Sequence, residues 1–131
     1  MRAKLPFGQG IWPAFWLLGE NIGEKGWPEC GEIDIMEFIG REPNNIYSSL
    51  HATSYDTTHN YYSGGGFSND FHTYAANWQP DRIEFSVDGN VFKTVRREES
   101  GGHWPFEGHN FFIILNLAVG GNWPGYPDGS T

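Results

Sequence analysis

Glycine and proline interrupt this 131-residue chain so often that they restrict it to short extended segments. Eighteen Gly and eight Pro are spread along the sequence, and no window of helical length keeps an apolar stripe with a 3.6-residue period. The length suits one ordinary domain, and there is neither an internal repeat nor a linker. The sequence therefore predicts a single all-β domain over residues 1–131.

Six segments have the composition of strands, with ends uncertain by about 2–4 residues. The predicted strands are 32–38, 46–51, 71–78, 82–87, 91–95 and 111–118. Apolar and polar side chains alternate over 82–87, and Asp88-Gly89 supplies a type I′ hairpin turn into the next strand. The run 111–118 is apolar except for Asn116 and predicts a central strand covered on both faces. The polar residues 55–70 predict a loop.

Three carboxylates lie within six positions of one strand-like run, GEIDIMEFIG, at residues 31–40. Asp and Glu are depleted from strands, and carboxylates crowded together push their pKa values apart. Glycoside hydrolysis requires such a pair of carboxyl groups, one charged and one protonated, on either side of the scissile bond. Glu32, Asp34 and Glu37 are therefore candidate catalytic residues.

The spacing of these acids requires an irregularity in the strand. Because strand side chains alternate with period two, Glu32 and Asp34 share one face and Glu37 falls on the other. A β-bulge near Ile35 or Met36 would insert one extra residue and return Glu37 to the face of Glu32. We expect such a bulge, with Asp34 between the two outer carboxylates.

Two other interpretations of the acids remain open. An exposed edge strand can carry charge to block aggregation. The acids could also bind a metal together with His51, although no paired-histidine motif supports a metal site.

The acidic segment resembles the active-site strand of glycoside hydrolase family 16, in the form found in laminarinases, which has two residues between Asp34 and the second Glu. The segments 5–19 (LPFGQGIWPAFWLLG), 71–89 and 111–125 resemble further family segments in the same order. The resemblance implies a concanavalin-like β-jelly-roll sandwich and a retaining endo-β-1,3-glucanase. It further implies that Glu32 is the nucleophile and that Glu37 is the acid/base. Asp34 either tunes their ionisation or shares a proton with Glu32.

Aromatic residues make up 17% of the chain, and flat aromatic rings can stack on the apolar faces of sugars. Any single Trp could equally be a packed core residue. The resemblance favours sugar binding for four tryptophans, namely Trp12, Trp16, Trp27 and Trp123. It also makes His51 a substrate-binding residue, because the matching laminarinase histidine lies near the catalytic site. Trp78 and Trp104 are interpreted as packed core residues. Asn116 is either a core amide or a groove contact.

Composition limits the possible partners. The net charge of −8 argues against binding nucleic acid or anionic membrane surfaces. No apolar run reaches the roughly 18 residues of a membrane span, and the N-terminus lacks the apolar stretch of a signal peptide. The lone Cys30 is interpreted as a small packed side chain. We expect a monomer that acts on a neutral β-glucan, without organic cofactor or metal. The family resemblance implies that the full-length form is extracellular.

The resemblance also implies that the sandwich is incomplete. Family members have a catalytic domain of well over 200 residues, so we expect this chain to be an internal piece without the terminal strands. Any family calcium site built from terminal segments would be absent with them. A non-catalytic glucan-binding sandwich is the alternative function, and the intact pair Glu32 and Glu37 favours the hydrolase.

Overall fold

The computed structural model describes all of residues 1–131, and almost every regular element is a strand. The strands are β1 (Arg2–Ala3), β2 (Ile11–Gly19), β3 (Glu32–Glu37), β4 (Asn45–Ala52), β5 (Tyr55–Tyr62), β6 (His72–Gln79), β7 (Arg82–Val87), β8 (Asn90–Arg96) and β9 (Phe111–Val119). The helices are α1 (Ile22–Lys25) and a 3₁₀ helix (Arg97–Ser100). The all-β prediction is confirmed. Neither helix is long and apolar enough to cross a bilayer.

The strands form two antiparallel sheets that pack against each other. One sheet has the order β1-β6-β7-β8, and the other has the order β5-β4-β3-β2-β9. Sixteen buried residues from both sheets and their connections form one hydrophobic core. In β7, the alternation seen in the sequence is reproduced, since Ile83, Phe85 and Val87 are buried between more exposed neighbours. The face of the five-stranded sheet turned away from this core remains available for a site.

The predicted hairpin between β7 and β8 is present. Val87 pairs with Asn90, which leaves Asp88 and Gly89 as a two-residue loop. Both loop residues have positive φ, 50° for Asp88 and 79° for Gly89. A type I′ turn requires positive φ at both central positions, which explains the Asp-Gly pair.

Two strands of the five-stranded sheet were missing from the predicted set. The loop expected over residues 55–70 is wrong for 55–62, because β5 pairs along its whole length with β4. Its Asp and Asn residues have low strand propensity, but long-range pairing overrides that preference. The strand β2 was obscured by Pro13, a residue that argues against a central strand. The carbonyl of Pro13 nevertheless accepts the Phe38 N–H at 3.2 Å.

The interpretation of 111–118 as a central strand covered on both faces is also wrong. β9 is the outermost strand of its sheet and pairs only with β2. Four of its apolar side chains are more than half exposed, namely Ile113, Leu115, Leu117 and Val119. A continuous apolar run shows that both faces of a strand are suited to burial, but it does not show which neighbours bury them.

Candidate active site

The predicted bulge lies in β3, between the acids that it had to reposition. Asp34 and Met36 face consecutive residues of β2, so Ile35 has no partner there. Ile35 and Met36 both contribute to the hydrophobic core. Since two successive side chains point inward, the alternation is reset, and Glu37 emerges on the same face as Asp34. The bulge is confirmed.

The three acids line one cleft on the outer face of the five-stranded sheet. The volume of this cleft is about 250 Å³. Its remaining walls come from β2 and β9 and consist of Trp12, Ala14, Trp16, Asn116 and Ala118. Asp34 and Glu37 are only 3% and 9% exposed, whereas Glu32 is half-buried. The structure therefore brings all three predicted acids together beside aromatic side chains.

Each outer carboxylate accepts a hydrogen bond from a tryptophan. Trp27 Nε1 donates to Glu32 Oε2 at 2.8 Å, and Trp12 Nε1 donates to Glu37 Oε1 at 3.1 Å. These two tryptophans were predicted as flat sugar-binding surfaces. In the structure their N–H groups also orient the acids, because a hydrogen bond to a charged oxygen is strong and directional.

The other two predicted tryptophans lie beside the cleft. Trp16 Nε1 donates to Asn116 Oδ1 at 2.8 Å, which places Asn116 in the cleft rather than in the core. The Trp123 ring packs edge-on against both Trp12 and Tyr47, with ring centroids 5.1 Å apart in each pair. Aromatic side chains from three segments therefore form one cluster at the Glu37 end of the cleft.

Trp78, Trp104 and Cys30 lie outside the cleft. Trp104 is 7% exposed and belongs to the core, as predicted. Trp78 is 38% exposed, so core packing describes it only in part. Its indole N–H donates to a backbone carbonyl, that of Phe106. Cys30 is fully buried, as its interpretation as a packed side chain requires.

His51 lies directly beside the acids, as predicted. It is the cross-strand partner of Glu32 on β4. Its Nε2 atom is 2.9 Å from Asp34 Oδ2, and its Nδ1 atom is 3.0 Å from Asp56 Oδ1. The imidazole is thus placed between one buried carboxylate and one exposed carboxylate. Asp56 was not identified from the sequence, because its strand had been interpreted as a loop.

The environment raises the pKa values of Glu32, Glu37 and His51 to neutral pH or above it. Burial, followed by the negative charge of Asp34, raises the pKa of Glu32 to about 7. The same two causes, in the same order, raise the pKa of Glu37 to about 7. The Asp34 carboxylate beside Nε2 raises the pKa of His51 to about 9, so the imidazole is charged at neutral pH. Both outer carboxyl groups can therefore exchange protons near pH 7.

Two polar residues of β4, Tyr47 and Ser49, contribute to the site but were not identified from the sequence, unlike His51 on the same strand. Tyr47, Ser49 and His51 share the cleft face of β4. Ser49 Oγ donates to Glu37 Oε2 at 3.4 Å. The signal was available, since these three residues follow the period-two alternation of a strand. The sequence pattern did not show the strand register that places Ser49 next to Glu37.

A small cation could bind at one place in the cleft. One donor atom from each of Glu32, Asp34 and His51 lies within 4.8 Å of the others. Two of these atoms, on Asp34 and His51, already contact each other at 2.9 Å. The metal interpretation therefore competes with an existing ion pair.

Comparisons with known proteins agree with this geometry. The sequence profile described as Glycosyl hydrolases family 16 matches residues 1–130. A glucan endo-1,3-beta-glucosidase from Cryptopygus antarcticus is 42% identical over 95% of this chain and 51% of its own length. This chain spans about half the length of the curated relatives that it matches.

Solved structures give the same result. The catalytic domain of the endo-1,3-beta-glucanase (laminarinase) from Thermotoga petrophila RKU-1 is 48% identical with a TM-score of 0.93, over 99% of this chain and 55% of that one. The endo-beta-1,3-glucanase from Pyrococcus furiosus is 49% identical with a TM-score of 0.93, over 98% of this chain and 52% of that one. The chain belongs to glycoside hydrolase family 16 and has the two-sheet jelly-roll fold of the laminarinases in that family.

Proposed function

We propose that residues 1–131 form the catalytic centre of a retaining endo-β-1,3-glucanase. The observation that carries this proposal is the pair of outer carboxyl groups on one bulged strand. Glu32 and Glu37 line the same cleft, and the pKa of each is raised to about 7. A retaining mechanism needs one of them ionised and the other protonated at the same pH.

In this mechanism, Glu32 attacks the anomeric carbon and forms a covalent glycosyl-enzyme intermediate. Glu37 protonates the departing glycosidic oxygen and then, as a base, activates the water that releases the sugar. Asp34 does not touch the reacting bond but raises the pKa of both neighbours through its charge. The assignment of the two roles follows the order of the acids in the laminarinase motif.

The walls of the cleft support a neutral glucan as substrate. Trp12, Trp16 and Trp123 offer flat apolar surfaces for sugar rings, and His51 is proposed as a further contact. The chain has only eight basic residues, whereas sulfated glycans call for clusters of Arg and Lys. We further propose that the protein acts as an extracellular monomer without an organic cofactor, a nucleic-acid partner or a membrane partner.

The first test is hydrolysis of laminarin with identification of the first-formed anomer. We expect new reducing ends from internal cleavage, with the β-anomer appearing first in the NMR spectrum. Retention requires carboxyl groups only about 5–5.5 Å apart. The assay should use a graft, in which residues 1–131 replace the matching segment of the Thermotoga petrophila domain, because residues 1–131 alone leave apolar side chains of β9 exposed. This graft is the parent into which the variants below are introduced.

An α-anomer formed first would show inversion and contradict the proposed roles. Tight binding of laminarin by a folded graft without turnover would instead favour the alternative function, a glucan-binding sandwich. The two outcomes are distinguished because binding can be measured by titration calorimetry independently of hydrolysis.

The substrate and metal predictions can be tested in the same preparation. We expect turnover of laminarin, no turnover of a sulfated galactan, and full activity in EDTA, because only carboxyl groups perform the proposed chemistry. Circular dichroism in EDTA provides the control for unfolding. Activity confined to the sulfated polymer, or activity lost in EDTA while the fold is intact, would contradict the proposal.

A further inference from the structure

Glu37 has different partners on its two carboxyl oxygens. Trp12 Nε1 donates to Oε1 at 3.1 Å, whereas the Ser49 hydroxyl lies 3.4 Å from Oε2. Ser49 is 1% exposed, and its Oγ atom is 3.0 Å from Oγ1 of Thr58, its cross-strand partner on β5. A chain of two hydroxyl groups therefore leads from the protein surface to one oxygen of Glu37.

The groups that face the two oxygens of Glu37 differ in whether they can donate or accept hydrogen bonds. An indole N–H can only donate, so the Glu37 oxygen facing Trp12 must remain an acceptor. The proton of a neutral Glu37 therefore belongs on Oε2, beside Ser49. A hydroxyl group can both donate and accept, and it rotates to suit its neighbours. Either oxygen of the pair Ser49 and Thr58 can act as donor.

These properties match the two protonation states that an acid/base residue must pass through. When Glu37 is ionised, Ser49 can donate to Oε2 while Thr58 donates to Ser49. When Glu37 is protonated, Ser49 can turn its proton towards Thr58 instead. The hydroxyl pair can thus follow the gain and loss of the Glu37 proton without leaving a buried polar atom unpaired.

We propose that Ser49, supported by Thr58, is a positioning residue that serves both protonation states of the acid/base carboxyl group. In the first step, a Glu32 carboxylate oxygen forms a bond to the anomeric carbon as the bond from that carbon to the glycosidic oxygen breaks, and the electron pair of the broken bond and the Glu37 proton go to the departing oxygen. Ser49 then donates to the new charge on Oε2. In the second step, the water oxygen forms a bond to the anomeric carbon while Glu37 takes a proton from that water, and the electron pair of the broken glycosyl–enzyme bond returns to Glu32. This inference rests on the proposed glucanase function.

Other groups also face Glu37 and must stay unchanged in a test. The charges of Asp34 and Glu32 raise the pKa of Glu37, and that of His51 lowers it. Tyr47 is the cross-strand partner of Glu37, and its hydroxyl donates to Glu42 instead. None of these contacts involves the Ser49 hydroxyl, so a change at Ser49 isolates its contribution.

Ser49→Ala removes the donor from the ionised form of Glu37. We expect the alkaline limb of the kcat/KM profile to move up by roughly half to one pH unit, since a lost hydrogen bond to a carboxylate raises its pKa. At neutral pH, kcat/KM should fall by about three- to tenfold. Thr58→Val, of nearly the same shape, should give a smaller shift in the same direction. Ser49→Thr, which keeps the hydroxyl, should restore the parent midpoint.

Ser48→Ala provides the matched control on the opposite face of the same strand. The Ser48 hydroxyl donates to the Ile35 carbonyl at 2.8 Å and does not contact Glu37. Its removal should lower the melting temperature while leaving the alkaline limb in place. A purely structural role for Ser49 would give that same result, so the pH profile separates the two roles.

The decisive measurement is a ¹³C NMR titration of Glu37, assigned with Glu37→Gln, because it requires no turnover. If the parent titrates but does not hydrolyse laminarin, the proposed function fails while the hydroxyl pair can still be judged from the titration. If the midpoint is unchanged in both Ser49→Ala and Thr58→Val, the inference is overturned. Should Ser49→Ala not fold, an unchanged midpoint in Thr58→Val, whose side chain is on the surface, would overturn it alone.

Discussion

Replacing Glu32 with glutamine should lower laminarin turnover by roughly 10⁵–10⁶-fold, the scale of loss when a covalent nucleophile is removed. Glu37→Gln should lower it by about 10²–10⁴-fold, the usual contribution of a general acid/base. The second loss should shrink with an aryl glycoside, because a good leaving group needs no proton. Initial rates on both substrates would give the comparison.

Small-anion rescue distinguishes the two roles more sharply than rates do. In Glu32→Ala, azide should enter the vacated space, attack the anomeric carbon of an aryl β-glycoside directly and give the α-azide. In Glu37→Ala, the glycosyl-enzyme still forms, and azide should attack it from the other side to give the β-azide. If Glu32→Ala gave the β-azide and Glu37→Ala gave the α-azide, Glu37 would be the nucleophile and Glu32 the acid/base.

The glutamine variants should also fold at least as well as the parent above pH 7. Burial raises the pKa of Glu37 from 4.5 to about 7, so the folded state favours the protonated form. The resulting stabilisation is fully present below pH 4.5 and is lost as the pH rises through about 7. Glutamine stays neutral throughout and does not suffer that loss. A melting temperature for Glu37→Gln well below that of the parent at pH 8 would show that the carboxylate has a structural role.

The arrangement of the acids could be predicted because the information is local. Glu32, Asp34 and Glu37 lie on one strand, and the period-two rule forces a bulge between Asp34 and Glu37 if all three share a cleft. Only one of the two roles of the tryptophans could be predicted. Aromatic content indicates sugar stacking, but the hydrogen bonds from Trp12 and Trp27 depend on how three segments meet in space.

Residues of β5 could not be predicted because their role depends on register with another strand. Tyr55–Tyr62 is a polar segment that pairs residue for residue with β4. This pairing alone places Asp56 beside His51 and Thr58 beside Ser49. Strand propensity reports how a residue fits a half-buried surface, and it does not identify the partner strand. The contacts of Asp56 with His51 and of Thr58 with Ser49 therefore depend on tertiary structure.

The apolar residues of β9 also show that a strand's sequence does not identify its neighbours in the fold. Its sequence indicates burial on both faces, and one face carries Asn116 into the cleft. On the opposite face, Leu115 and Leu117 border a gap that reaches the core residues Leu5 and Met36. Their exposure is 63% for Leu115 and 54% for Leu117. Apolar side chains that are exposed in a row usually mark a surface to be covered.

The isolated chain of residues 1–131 is therefore expected to be poorly soluble or molten, and inactive on laminarin. Each large apolar side chain left uncovered forgoes about 1.5–3 kcal/mol of burial, and intact domains have only about 5–15 kcal/mol of net stability. The unpaired outer edge of β9 adds a site for association between chains. Strong binding of the dye ANS, concentration-dependent light scattering and a broad thermal transition would report this state.

Two variants test whether the exposed face of β9 causes this behaviour. The graft into the Thermotoga petrophila domain should cover the face, give a cooperative transition and turn over laminarin. The double substitution Ile113→Thr and Leu115→Thr places a β-branched residue, which favours strands, at both positions and removes apolar area. It should reduce scattering and ANS binding without restoring activity, because the core stays open beside Leu117. A cooperative transition together with laminarin turnover by residues 1–131 alone would show that the fold needs no further cover.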